Sequence, residues 1–81
     1  MVWVVEAQAL PNYRLRLRFS DEVVGEVDLS EFVANDARPI VRELRDLTEF
    51  AAICVESDTV AWQNGSDLAP EYLRANLCAV L

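Results

Sequence analysis

The sequence predicts an α+β domain: an N-terminal three-stranded antiparallel meander plus a second hairpin, with two or three short helices packed on one face. Three observations predict it. Apolar and polar residues alternate with period two as far as Leu29, turn residues interrupt that alternation twice, and helix-start signals appear only beyond it. The 81 residues form one small domain, residues 1–81, and their 53% hydrophobic content can fill a core. Size scaling gives a folded surface of roughly 4,900 Å².

Strand one, Val2–Ala9, sends Trp3, Val5, Ala7 and Ala9 to one face and Glu6 and Gln8 to the other. Leu10-Pro11-Asn12 turns the chain, proline setting φ and asparagine tolerating a left-handed backbone. Strand two, Tyr13–Phe19, points Tyr13, Leu15, Leu17 and Phe19 inward and Arg14, Arg16 and Arg18 outward. After Ser20-Asp21-Glu22, strand three (Val23–Leu29) points Val23, Gly25, Val27 and Leu29 inward. Matching the apolar faces sets Tyr13 between Ala9 and Leu29, and Leu15 between Ala7 and Val27. The same register places Arg16 between Glu6 and Glu26 and Arg14 opposite Asp28, pairs that favour it further.

Ser30 starts a helical turn over Ser30–Val33, and residues 34–45 carry no decisive pattern. Asp46-Leu47-Thr48-Glu49 has the form of a capping box opening a helix to Ala52, with Leu47 and Phe50 inward. Cys54–Ser57 and Val60–Trp62 form the second hairpin, turning near Asp58. Asn64-Gly65 breaks the chain. Pro70 begins a closing helix over Pro70–Val80, with Leu73, Leu77, Val80 and Leu81 on one stripe. Cys54 and Cys78 sit among apolar neighbours and read as buried free thiols. Trp62 and Tyr72, each with a polar tip, are expected to be partly exposed.

Seven bases, all arginine, face fourteen acids, for a net charge of −7. With neither histidine nor lysine, the chain has no histidine general base, Schiff-base lysine, P-loop lysine or histidine metal site of its own. A serine triad is excluded for the same reason. Asp58, Asn64 and Asp67 lack calcium-loop spacing and read as turn residues. The sequence thus assigns no catalytic residue, cofactor or metal, and a non-enzyme is expected. Arg14, Arg16 and Arg18 are the one basic cluster, yet Glu6, Glu26 and Asp28 lie beside them. That stripe reads as a self-neutralised face, so no nucleic acid is expected to bind this chain alone. Met1–Val5 lacks the basic flank of a signal peptide and no apolar run is long enough to span a bilayer, so a cytoplasmic protein without membrane contact is expected.

Two functional readings remain. The first is a non-catalytic protein-interaction module whose partner is another protein, the −7 charge favouring a basic one, with a homodimer through a sheet edge or the apolar Leu77–Leu81 tail as the variant. The alternative is a small-ligand or enzymatic site around Trp62, Asn64, Asp67 and Glu71. Against that site, Asn64-Gly65 would merely turn the chain, Asp67 would satisfy helix amides near Pro70, and Trp62 would pack beneath.

Three segments carry a resemblance: Tyr13–Asp21, Gly25-Glu26-Val27-Asp28-Leu29-Ser30, and Trp62-Gln63-Asn64-Gly65-Ser66-Asp67-Leu68-Ala69-Pro70-Glu71-Tyr72-Leu73. Together they resemble the bacterial family known as domain of unknown function 2442. The resemblance implies a small α+β domain without established catalytic residues or cofactor. Some relatives are joined to a helix-turn-helix domain, which this chain is too short to contain. Others are encoded beside a second small protein, implying an antitoxin-like or accessory role with the product of an adjacent gene. The family usually has glycine where this chain has Glu22, so a left-handed glutamate costing around 1 kcal/mol is expected there unless the loop changes type.

Overall fold

A computed structural model describes residues 2–80. The alternating N-terminal stretch forms a meander of β1 (Val4–Leu10), β2 (Arg14–Phe19) and β3 (Val24–Asp28). Helices α1 (Ser30–Asn35) and α2 (Pro39–Arg42), a 3-10 turn (Glu43–Arg45) and α3 (Leu47–Ala51) follow. Then come the hairpin β4 (Ile53–Glu56) and β5 (Thr59–Trp62), the two-residue β6 (Asp67–Leu68), α4 (Pro70–Ala75) and β7 (Leu77–Val80). Two antiparallel sheets result, in the orders β1-β2-β3-β7 and β4-β5-β6. This is the predicted α+β architecture, and its 4851 Å² of accessible surface is close to the expected area.

One core joins both sheets and the helices. Leu15, Leu17, Phe19 and Val27 from the meander meet Val33, Leu44, Phe50 and Leu73 from the helical elements and Val60 and Trp62 from β5. The opposite face of the meander carries the arginines, with Arg16 exposed and Arg14 and Arg18 half-buried.

The β2–β3 register is as expected, with Leu15 opposite Val27, Arg16 opposite Glu26 and Arg14 opposite Asp28. The β1–β2 register differs by two residues: Ala9 pairs with Leu15, Ala7 with Leu17 and Glu6 with Arg18. A two-residue slip leaves every side chain on its original face, so alternation cannot detect it. The loop is Pro11-Asn12-Tyr13, with proline first and both Asn12 (φ 63°) and Tyr13 (φ 60°) left-handed. Tyr13 is held there by an edge-on contact with the Phe50 ring, 5.3 Å between centroids, and by its hydroxyl donating to the Arg45 carbonyl.

A bulge at Val5 corrects the start of β1. Two steps from Val4 to Glu6 oppose one from Phe19 to Arg18, so Val4 enters the core and Trp3 is 41% exposed. Glu22 is left-handed (φ 71°) in a three-residue loop that Phe19 N–H closes onto the Val23 carbonyl at 2.9 Å, as the missing glycine foretold.

Several expectations for the second half are overturned. The closing helix stops at Ala75, and Leu77–Val80 pairs with the free edge of β3. Asn76 ends it, donating from its side chain to the Tyr72 carbonyl at 2.7 Å. An apolar run this short satisfies helix and strand alike, and an available sheet edge decides between them. Leu81, the last member of the predicted stripe, lies outside the described residues. Leu29, not Ser30, is the N-cap of α1, and the Asp28 carboxylate accepts from Ser30 N–H at 2.9 Å. Asp46 caps α3 by accepting from Thr48 N–H at 2.8 Å, and Phe50 is buried, but Leu47 is 60% exposed. Both cysteines are free and exposed, because each lies on an edge strand of its sheet.

Candidate functional site

The arginine stripe and the Trp62–Glu71 segment are the two candidate regions, and the structure treats them differently. On the open sheet face, the Arg14 guanidinium passes over its backbone partner Asp28 and donates to Glu26 at 2.9 Å. Arg18 donates to Glu6 at 2.6 Å and lies 3.7 Å from Glu22. Arg16, expected between Glu6 and Glu26, forms no ion pair among the described residues. The two-residue slip places uncharged Gln8 opposite it, and Arg14 has taken Glu26. Self-neutralisation therefore holds for two of the three arginines. Pro11 was the available signal for this register, since proline favours the second position of a turn and so assigns Leu10 the first.

The Trp62–Glu71 segment is divided between interior and surface. Trp62 is buried, not partly exposed, and its indole N–H donates to the Phe50 carbonyl at 2.9 Å. The Asn64 amide donates to the Ile40 carbonyl at 2.8 Å and to the Glu43 carboxylate at 3.3 Å, while its oxygen accepts from Ser66 N–H at 3.0 Å. Gly65, at φ 93°, completes the turn. Asp67 lies exposed on β6 opposite Ala61, and no side chain caps α4, so it does not satisfy that helix's amides. Pro70 occupies the first turn of α4, with Glu71 beside it on the surface. Tyr72 is 42% exposed, as expected.

Two side-chain connections have no counterpart in the sequence reading. Arg74 of α4 grips Asp21 of the β2–β3 loop through two bonds, 3.0 and 2.9 Å, and stands 5.1 Å above the Phe19 ring. Arg45 donates to the Val33 and Ala34 carbonyls near the end of α1, at 3.1 and 2.7 Å.

Each carboxylate with a displaced pKa is displaced downward. Hydrogen bonds from Arg18, Arg74 and Arg38 lower Glu6, Asp21 and Asp36, and Ser30 lowers Asp28. Such groups are ion-pair members or, for Asp28, an acceptor of local hydrogen bonds from Ser30; a general acid working near neutral pH needs the opposite displacement. Among the described residues, no helix is long and apolar enough to cross a membrane.

The chain belongs to DUF2442, a family described as "Protein of unknown function", whose model matches residues 4–77. No curated protein matches it. A crystal structure from Nitrosomonas europaea, described as a "putative DNA binding protein", is similar with a TM-score of 0.81 at 23% identity. The match covers 95% of this chain and 49% of the other, so this chain corresponds to about half of that protein. At that identity the likeness shows a shared fold.

Proposed function

We propose that this domain is a non-catalytic protein-interaction module, the accessory or antitoxin-like member of a two-protein system. The observation that carries this reading is the internal use of its most distinctive polar residue, Asn64, whose amide ties the turn between β5 and β6 to α2. Trp62 is likewise committed to the Phe50 carbonyl, which leaves Asp67 and Glu71 at the surface without a partner constellation. A ligand site around these four residues would require the fold to release the first two. What remains for function is surface, and part of it is the arginine-bearing face of the β1–β3 meander, where Arg16 is exposed.

DNA binding by this chain alone is the weaker reading. Duplex affinity comes mainly from neutralising phosphates, and a protein of charge −7 with two of its three sheet arginines already paired has little to offer them. Any DNA association would then come through a partner.

The test is co-purification of the tagged chain from its native host, followed by gel filtration of the chain with the purified candidate. A stoichiometric complex that weakens between about 0.05 M and about 0.5 M salt is expected, since screening shortens with ionic strength. Elution of the chain alone under all conditions would overturn the reading, as would tight duplex binding by the isolated chain.

A further inference from the structure

The small sheet has one side in the core and one outside it. Val60, Trp62 and Leu68 point into the core, so strand alternation turns Cys54, Glu56, Ala61 and Asp67 to the other side. The ladder sets Cys54, Ala61 and Asp67 in one row across the three strands, and the Cys54 thiol lies 3.8 Å from the Glu56 carboxylate. Cys54, Glu56 and Asp67 are exposed, and Ala61 is half-buried. Thr59, on the same side, is buried with its hydroxyl donating to the Leu68 carbonyl, so the face opens around the row itself. The result is a shallow floor made of a thiol and a methyl group, with one carboxylate on β4 and one on β6.

This sheet also lies within the stretch that carries the charge. Residues 46–73 contain six acids and no base, a net charge of −6, while the rest of the chain sets eight acids against seven arginines. Among the described residues none of those six acids forms an ion pair, whereas Glu6, Asp21, Glu22, Glu26 and Asp36 each do. The arginines that bound the stretch are engaged elsewhere, Arg45 with the Val33 and Ala34 carbonyls and Arg74 with Asp21. Arg42 stands beside Glu43, Asp46 and Glu49, so it offsets the α3 end of the stretch and not the sheet.

We propose that the outer face of β4-β5-β6 docks a basic segment of the partner protein, whose Lys or Arg side chains pair with Glu56 and Asp67. Long basic side chains lay apolar stems along a surface while their charged ends reach acceptors, and the small Cys54 and Ala61 leave room for such stems. An uncompensated negative field speeds encounter with a basic partner and repels acidic ones. A second copy of this chain would bring the same −6 against itself, so the occupant is a different protein. This inference rests on the protein-interaction reading and names its surface and the chemistry of its partner.

Selection of a randomised peptide-display library on the full chain, followed by binding to two double variants with the same change in charge, tests it. Glu56→Gln with Asp67→Asn removes the carboxylates of the face; Glu31→Gln with Glu71→Gln removes two exposed carboxylates from α1 and α4. Peptides bearing Lys or Arg should be enriched, and at low salt they should bind the first variant about tenfold more weakly and the second less than about threefold more weakly. Neither variant loses an ion pair, so both should keep the wild-type melting temperature, which separates lost binding from lost folding. In an amide NMR titration of the wild-type chain with a selected peptide, Cys54, Ala61 and Asp67 should shift most. Failure to enrich, enrichment without a basic residue, equal weakening in both variants, or shifts centred on the meander arginines overturns the assignment. A partner complex in co-purification that is indifferent to Glu56→Gln with Asp67→Asn would leave the interaction reading standing while this face fails.

Discussion

The meander and the second half of the chain are held by different means. In β1, β2 and β3, consecutive strands pair through short loops, and backbone ladders are reinforced by Arg14–Glu26 and Arg18–Glu6. From α2 to β6, elements are short and distant segments are joined by side chains reaching backbone carbonyls. Trp62 reaches Phe50, Asn64 reaches Ile40, and the buried Thr59 hydroxyl donates to Leu68. Repetitive backbone pairing tolerates changes at its outward positions. A structure fastened at single side chains depends on each of them. Distinctive residues therefore gather where the fold is least regular, and they can pass for a functional motif.

The largest expected effect is on the core shared by both regions. Phe19→Ala removes a fully buried ring from the meander's inner face and should cost about 3–5 kcal/mol. Chemical denaturation measures this, and a loss under about 1 kcal/mol would show that the two regions do not share one core. Asn64→Ala should cost about 1–3 kcal/mol, because the Ile40 carbonyl keeps only the longer bond from the Ser66 hydroxyl, at 3.4 Å, and the Asn64–Gly65 turn loses its brace. Hydrogen exchange should rise across residues 39–45 while β2 stays protected. Equal loss of protection in β2 would erase the proposed difference between the regions.

A smaller effect is expected in the meander loop. Glu22→Gly relieves a left-handed glutamate and gives up a long, exposed contact with Arg18, so a gain of up to about 1 kcal/mol is expected in thermal melting. Near neutral pH the smallest effect is that of pH itself. Histidine is absent, and ordinary side-chain values leave the range from about pH 5 to 8 empty, so stability should be flat across it. Glu6, Asp21, Asp28 and Asp36 have folded values below their unfolded ones. Their contribution is complete above the unfolded range and fades as pH falls through the lowered folded values, so melting temperature should drop below about pH 4. Asp21→Asn should flatten that drop, because its bonds with Arg74 are then no longer charge-paired.

Legibility followed the same division. Faces, loops and the β2–β3 register could be read because period-two alternation is a local property repeated over several residues. The β1–β2 slip escaped because a shift by two residues preserves every face, and Glu6 satisfies Arg18 as well as it would Arg16. The Val5 bulge escaped because a run of Trp and Val carries no polar residue to mark the change of side. The thiols of Cys54 and Cys78 were misplaced because apolar neighbours in sequence do not ensure burial on an edge strand. Asn64 was correctly marked as a turn residue, but its bond to Ile40 crosses 24 positions, a distance no local pattern covers.

The order of polar and apolar residues alone determined the α+β class and the inward face of β2 and β3, and the inventory of side chains determined the chemistries denied by the lack of histidine and lysine. Those features depend on neighbours along the chain or on the inventory of side chains. Folding decided which arginine would lack a carboxylate, that the last residues would join β3 as a strand, and that Trp62 and Asn64 would turn inward. Each of those outcomes is a competition among partners distant in sequence, settled only when the chain brings them together.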